Sequence, residues 1–533
     1  MKEPIVKRPR VQVRTHIFKV VFWLAIAIAP TSVAAGDLYA LVIGIDRYST
    51  LSDLKGATND AKDVAQTLEA IGARKVTLIT DEDATREAIF SAWRALTERA
   101  GENDTLIFHY AGHGARQPAI LDGHEAFDNM FLLSGFNETG PGVNERLIDN
   151  EIGHLLAEEA EATVVFVADS CFAGGMTRDI DPSLPANSRV AQVSLDPSED
   201  LIPQRVEALG EVSEKALERV VWLYAQDQNK VTQEYRIKDQ VRGALSYAFS
   251  RALEGAADKD KNSVLSTAEL KRYINRTVKR YSERRQRPEV NAGSRGLSIP
   301  IPTAFGGGTE PVSTGLPGLS LYRTPDFRLP QLIGVKEVAD KTRADLILDG
   351  EAGWLYNRAG DRVTRISDEM SAAALQGAID KWRFLAFLAE LKSTEDPDVS
   401  LRDGSRVYKA GERVTFQMVS GSHKNILLFN LAATGKIQLV APVRSGGRGL
   451  AAGKLRLERT ERFTSQVVPP LGADHLIALS SPTPMPGLVS LIKLANGTAD
   501  LENLAKDFRV LLDGQQFGLD WVGLYTREKD ETP

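Results

Sequence analysis

From residue 37 to about residue 300, apolar runs of strand length alternate with helical stretches, and this pattern constrains the fold most. The runs are YALVIGID (39–46), KVTLIT (75–80), DTLIFHY (104–110), NMFLL (129–133), ATVVFVA (162–168) and RVVWLYA (219–225). Between them, helical patterns cover about 57–71, then 85–100 with Thr85 as a plausible N-cap, and a third begins near Asp149. Strand–helix alternation predicts a mostly parallel sheet with helices on both faces, an α/β fold. The runs are near-continuously apolar, as strands buried on both faces must be. At 533 residues the chain exceeds what one hydrophobic core organises, so several domains are expected.

Beyond 300 the pattern changes. Residues 301–325 are rich in Gly and Pro and read as a linker. A middle segment, 326–394, ends in an amphipathic helix, SAAALQGAIDKWRFLAFLAELK. From about 399 to 481 the hydrophobic period becomes two: ERVTFQMV alternates, and ILLFNLA and KIQLVAP flank a Thr434–Gly435 turn before HLIALSS. That predicts an antiparallel β-rich domain over about 395–500, followed by a tail, 501–533. Its histidines, His423 and His475, have no partner spacing and read as structural or solvated. Residues 178–216, rich in Pro, Ser and Asp without periodicity, read as a long mobile loop.

The N-terminus has the features of a secretory signal. A basic stretch precedes the apolar run 20–29 (VVFWLAIAIA), then Pro30 and the small-residue segment TSVAAG, where cleavage after Ala34 or Ala35 fits. The run is short for a bilayer span, which needs roughly 20 residues. An uncleaved anchor is the alternative. The expected location is periplasmic or extracellular. Removing this +5 segment from a net charge of −6 leaves −11. An acidic body without a basic patch argues against nucleic-acid binding. The single cysteine, Cys171, leaves an exported chain without an internal disulfide, so it is not a staple.

Two segments carry chemistry. In FHYAGHGAR (108–116) a buried strand runs into Gly112–His113–Gly114, and glycines on both sides let the backbone turn and leave the imidazole exposed. In VVFVADSCFAGG (164–175) another buried strand ends at Asp169–Ser170–Cys171. Sites in open α/β sheets form beyond the carboxyl ends of strands, so His113 and Cys171 are expected in one crevice. A thiolate is the nucleophile, and a nearby imidazole takes its proton and later protonates the leaving amine. Backbone amides around Gly114 and Cys171 are natural oxyanion donors. The 58-residue step from His113 to Cys171 is close to the roughly 50-residue His-to-Cys spacing of caspases.

The ordered segments YALVIGIDRY, LKGATNDA (54–61), AGHG, ADSCFAGG, AQDQNKVTQE and GALSYAFSRAL, set around the only cysteine, resemble the caspase-like peptidase superfamily. They are most similar to bacterial metacaspase-like proteins. The resemblance covers about 37–300 and implies a cysteine endopeptidase with His113 and Cys171 as its dyad. It further implies cleavage after Arg or Lys, with Asp60 and Asp169 at the positions of the acidic substrate pocket. Carboxylates facing a guanidinium suit that task. Ala111 stands where metacaspases usually have Ser, and Phe172 where they usually have His. The β-rich C-terminal region resembles a domain of unknown function often fused to such peptidases. The alternative function is a catalytically idle caspase-fold scaffold, with the C-terminal β module binding a partner protein.

Residues 258–269, DKDKNSVLSTAE, place Asp258, Asp260, Asn262, Val264 (by its carbonyl), Ser266 and Glu269 at EF-hand ligand positions, with Ser263 where Gly is preferred. A solvated acidic turn is the alternative. No cofactor is required, calcium is the possible one, and the expected partner is a protein or peptide substrate. Arg178, Arg189 and Arg205, in the 178–216 stretch, are candidate self-cleavage points.

Overall fold

The computed structural model describes residues 36–529, except 122–126, 158–161, 172–187, 227–231, 238–239, 283, 295, 302–314, 326, 328–329, 342–343, 359, 367–370, 392, 394–396, 403–406, 420–422, 424, 442–460 and 470. The signal-like segment 1–35 and Arg178 therefore lie outside the described residues, as does most of the 301–325 stretch.

The first half builds around β1 (Leu38–Gly44), α1 (Ala57–Ala70), β2 (Lys75–Thr80), α2 (Arg86–Thr97) and β3 (Thr105–Ala111). Then come β4 (Gly114–Pro118), β5 (Phe127–Leu132), β6 (Arg146–Ile148), α3 (Asp149–Ala157) and β7 (Thr163–Asp169). After the cysteine follow α4 (Ile202–Leu209), β8 (Val220–Tyr224), β9 (Glu234–Ile237), β10 (Gln240–Gly243), α5 (Ala244–Arg251), β11 (Val264–Ser266), α6 (Thr267–Tyr281), β12 (Glu289–Ala292) and β13 (Ser298–Pro300). The central sheet has the order β12-β8-β7-β3-β1-β2, parallel except for β12.

Alternate residues of each strand feed opposite faces, as the pleat requires. Leu41, Ile43, Phe108 and Phe166 pack with Trp93 and Ile152 on one face. Val42, Ile107 and Val165 pack with Val64, Leu68, Phe249 and Ile274 on the other. Thr85 caps α2 by accepting the Ala88 amide at 3.2 Å. The NMFLL run is not in the central sheet: β5 pairs antiparallel with β4 and β6 in a three-stranded sheet of its own. Its apolar side is satisfied by a small satellite core with Ile202 and Val206. Those two residues belong to α4, so the 178–216 stretch is not wholly a loop. One helical turn of apolar spacing was too little signal to register against its Pro and Asp content.

The second half departs from the sequence reading at both ends. Leu319–Arg323, inside the expected linker, is β14, and it sits between β15 (Val335–Glu337) and β16 (Leu346–Asp349) in a five-stranded sheet continued by β17 (Trp354–Asn357) and β18 (Arg362–Arg365). Helix α7 (Ala372–Glu390) follows. Next are β19 (Asp398–Leu401), β20 (Val407–Lys409), β21 (Arg413–Val419), β22 (Asn425–Leu431), β23 (Ile437–Ala441), β24 (Glu461–Gln466) and β25 (Gly472–Ser481). Last come α8 (Pro486–Ala495), α9 (Leu501–Leu512) and β26 (Gly518–Arg527). The expected tail is no tail: β26 lies between β20 and β25 in the sheet β20-β26-β25-β22-β23, and Phe508 and Trp521 join a core shared with Leu321, Phe384 and Phe429. The middle segment and the β-rich region thus share one interior. Among the described residues no helix is long and apolar enough to cross a membrane.

Candidate active site

Strands β3 and β7 are parallel neighbours, and Ala111 stands opposite Asp169 at their carboxyl ends. His113 and Cys171 each lie two residues past that pair, at the ends of adjacent strands. The backbone at His113 is clamped. The Tyr48 hydroxyl accepts its amide at 2.7 Å, and the Tyr110 hydroxyl donates to its carbonyl at 2.8 Å. A Cβ on Gly112 would come within 2.6 Å of the Tyr110 hydroxyl and 2.7 Å of the Tyr48 hydroxyl, so glycine is required there.

The imidazole is not exposed as the flanking glycines suggested: His113 and Cys171 are each 1% exposed. The Tyr48 ring covers His113 at 4.8 Å, and Nε2 lies 2.8 Å from the Ser52 carbonyl. A carbonyl can only accept, so Nε2 carries the proton and Nδ1 keeps the lone pair. Burial lowers the His113 pKa to about 4, against the pull of the Ser52 hydrogen bond, so the ring is neutral at pH 7.

Over the two residues runs the segment 188–191. The Arg189 carbonyl accepts both the Gly114 amide (3.0 Å) and the Cys171 amide (3.3 Å). These are the two donors singled out from sequence as oxyanion groups, converging on one carbonyl oxygen. The Arg189 amide donates to the Thr232 carbonyl at 2.9 Å, and Ser188 pairs antiparallel with Gln233. Beyond it Val190 bridges Gly114, and the Ala191 amide donates to the Gly114 carbonyl at 2.9 Å.

The Arg189 side chain drops into a fully buried acidic pocket. Its Nη2 lies 2.5 Å from Asp60 Oδ2 and 3.2 Å from Glu234 Oε1; its Nη1 lies 3.2 Å from Asp169 Oδ1 and donates to the Asp169 carbonyl at 3.0 Å. Burial pushes the Asp60 carboxyl well above its usual range, countered by Arg189 and reinforced by the charge of Asp169. Burial disfavours the charge on Arg189, but Asp169, Asp60 and Glu234 outweigh it and hold the guanidinium protonated.

Each wall of the pocket has a local cause. Asp60 sits in the first turn of α1, which approaches β1 closely because a Cβ on Gly44 would collide with the Ala57 carbonyl and with Ala61. Asp169 Oδ2 accepts both the amide and the hydroxyl of Ser246, each at 2.8 Å, and that hydroxyl meets His109 Nε2 at 2.9 Å. Glu234 accepts the Lys55 and Gly56 amides at 2.9 and 2.8 Å. Gly243 closes the floor and donates to Asp60 Oδ2 at 2.8 Å; any Cβ there would land on Asp169 and within 2.5 Å of Arg189 Nη1.

Asp60 and Asp169 are marked by motif in the sequence, whereas the roles of Glu234, Tyr48, Ser52 and Gly243 are not. Glu234 stands in the quoted segment AQDQNKVTQE, and its acidity was the only available signal.

The 258–269 loop is a second candidate site. Asp258, Asp260 and Glu269 bring carboxylate oxygens within 4.8 Å of one another. Asp258 accepts the amides of Asn262 (3.2 Å) and Ser263 (2.9 Å), and Ser263 takes the left-handed backbone (φ 61°) that glycine would take there more easily. Asn262 Oδ1 accepts the Val264 amide at 2.8 Å, and Glu269 caps α6 through Ser266. The loop therefore has an EF-hand-like frame whose oxygens are partly committed to internal hydrogen bonds. His423 and His475 are engaged structurally, with Ser480 at 3.1 Å and with the Trp382 ring at 5.4 Å.

Residues 37–296 match the caspase domain family. Metacaspase-3 of Trypanosoma cruzi is 34% identical over 164 residues, 28% of this chain and 43% of that protein. Metacaspase-1A of Aspergillus oryzae is 27% identical over 264 residues, 42% of this chain and 61% of that protein. The chain thus spans about half the length of these curated relatives. The crystal structure of caspase-1 from Spodoptera frugiperda aligns with a TM-score of 0.32 at 11% identity, over 50% of this chain and 90% of that one.

Proposed function

We propose that this protein is an exported cysteine endopeptidase that cleaves after Arg or Lys. Cys171 is the nucleophile, His113 the base, and Asp60, Asp169 and Glu234 bind the basic side chain. The observation that carries the reading is Arg189: its guanidinium faces three buried carboxylates while its carbonyl oxygen accepts the Gly114 and Cys171 amides. Those are contacts a bound basic residue would make on both its side chain and its carbonyl oxygen.

The chemistry follows from the groups present. His113 Nδ1 takes the Cys171 proton, and Sγ attacks the carbonyl carbon. The resulting oxyanion rests on the two amides, an arrangement whose single donors are each worth about 10²–10³ in rate in comparable sites. The imidazolium then protonates the leaving nitrogen, the C–N bond breaks, and water hydrolyses the thioester. A neutral His113 is the form that can start this sequence.

In cis the leaving nitrogen belongs to Val190, so the Arg189–Val190 bond is the first expected to be cut. Until it is cut or lifted out, Arg189 blocks substrates in trans. Intact-mass analysis with N-terminal sequencing tests this: the active protein yields a new terminus at Val190, and Cys171→Ala stays whole. No fragment after prolonged incubation would remove the support Arg189 gives.

The same proposal places the mature chain in the periplasm or outside the cell, on the strength of the basic–apolar–small pattern of its first 35 residues. The 258–269 loop is proposed as a calcium site. Asp258, Asp260, Asn262, the Val264 carbonyl and Glu269 would hold the ion, whose charge would fix the turn ahead of α6. Calorimetric calcium titration of the full chain and of Glu269→Gln checks it; absence of binding by the unsubstituted protein would end it.

A further inference from the structure

The pocket wall that Arg189 leans on is itself held from the other half of the chain. Gln226 leaves β8, and Gln233 immediately precedes Glu234 and follows Thr232, the two residues that bind Arg189 from this side. Both glutamines are 7% exposed, and both are fastened to one short segment, 284–287, between α6 and β12. Gln226 Nε2 donates to the Arg285 carbonyl at 3.0 Å, and its Oε1 accepts the Arg287 amide at 2.5 Å. Arg285 Nη1 donates to Gln233 Oε1 at 3.1 Å.

The same segment is gripped from its far side by the C-terminal half. Arg285 pairs with Asp361, which immediately precedes β18, and Arg287 pairs with Asp398 and donates to the Val399 carbonyl. Arg284 pairs with Asp520 of β26, and its guanidinium lies 3.2 Å from the Trp521 ring centroid. Burial would raise the Asp520 carboxyl, yet Lys279, Arg284 and Arg287 hold it below the usual range. Lys279 lies 3.6 Å away, and the Val399 amide donates to Asp520 at 3.0 Å. Next to the wall, Arg236 of β9 reaches Asp340 at 4.0 Å.

We propose that Arg285 is a positioning residue of the basic-residue pocket, and that the C-terminal half acts through it, via Asp361, to hold Gln233 and so Thr232 and Glu234 in the binding pose. A surface made only to join two domains would have no need to reach the pocket wall; this one does so through a guanidinium shared between Asp361 and Gln233. Perturbing the C-terminal half at Asp361 is thereby felt as weaker binding of the basic residue, with the sulfur and imidazole undisturbed. The functional half of this inference rests on the peptidase reading; the mechanical half does not.

The test uses the full chain in two arms. In the first, Asp361→Ala and Arg285→Ala raise KM for an Arg-terminated peptide about threefold to tenfold, the range one hydrogen bond contributes. Their kcat stays within about twofold and Cys171 alkylates at the parent rate. The double variant adds little to either single one, as members of one chain of contacts should, and Asp361→Glu recovers most of the loss. In the second arm, in a Cys171→Ala background, amide hydrogen exchange at 232–237 quickens in Asp361→Ala but not in Glu337→Ala, which breaks only an exposed pair with Arg323. Unchanged exchange at 232–237 in both Asp361→Ala and Arg285→Ala overturns the proposal. Quickened exchange together with no hydrolysis by the unsubstituted protein upholds the coupling and refutes the peptidase reading instead.

Discussion

Removing the Arg189 guanidinium should cost more than an ordinary surface arginine, and its cost should depend on pH. Arg189 and its three carboxylate partners have side chains no more than 2% exposed. In Arg189→Ala three carboxylates would remain buried without their cation. Deleting one partner of a buried pair typically destabilises by about 3–5 kcal/mol. Protonation offers the escape. The Asp60 carboxyl already lies well above its usual range through burial, and losing Arg189 raises it further. A carboxyl with a folded pKa above its unfolded one contributes most at low pH, and its contribution is lost as pH rises through the folded pKa. The deficit of Arg189→Ala should therefore be full near pH 8 and shrink on acidification. Urea unfolding of Cys171→Ala with and without Arg189→Ala, at pH 8, 6.5 and 5, measures it without interference from self-cleavage. A guanidinium ligand such as arginine amide should stabilise the Arg189→Ala form and leave the parent unmoved, because only there is the pocket free. A deficit under about 1 kcal/mol, or one that is constant with pH, would refute the electrostatic account of the pocket.

Other outcomes follow from the same geometry. Gly243→Ala places a methyl on Asp169 and within 2.5 Å of Arg189 Nη1; Arg peptides should lose binding while Cys171 alkylation persists, and retained KM would count against the pocket floor. His109 is buried with its pKa lowered from 6.5 to about 4, desolvation being the main cause. A depressed histidine costs stability as pH falls below its unfolded value, by about 1.4 kcal/mol per pH unit. His109→Gln should thus gain on the parent by up to about 3 kcal/mol between pH 6.5 and 4, and a gap that does not move with pH would deny that His109 is held neutral.

What was legible in the sequence was what periodicity encodes. β2 and α1 lie where their runs stood: α1 buries Ala57, Ala61, Val64, Ala65 and Leu68 at helical spacing, and β2 pairs in parallel with β1. The ends of β3 and β7 were legible because glycine and small residues punctuate buried strands there. Illegible were elements whose signal is distributed. β14 hides in Gly- and Pro-rich surroundings, and β26 follows what looked like the end of a domain, though each lies inside a sheet. At the site, Asp60 and Asp169 stood out by motif, but Glu234 is brought to the pocket beside the bridge between Gln233 and Ser188. Arg189 was one arginine among several in an aperiodic stretch; only the fold brings its carbonyl onto the Gly114 and Cys171 amides. The arginine segment 284–287 was silent for the same reason, since Gln233 and Asp520, which its side chains bind, lie 52 and 236 residues away.

In the proposed reaction Cys171 cleaves after a basic residue bound by Asp60, Asp169 and Glu234. Hydrolysis of fluorogenic peptides ending in Arg, Lys or Asp, with and without calcium, by the mature protein and by Cys171→Ala, tests it most directly. The account predicts release after Arg or Lys that is lost in Cys171→Ala, and none after Asp. Release after Asp would contradict the acidic pocket, and no release from any peptide, with Arg189–Val190 also uncut, would leave a caspase fold without the activity proposed.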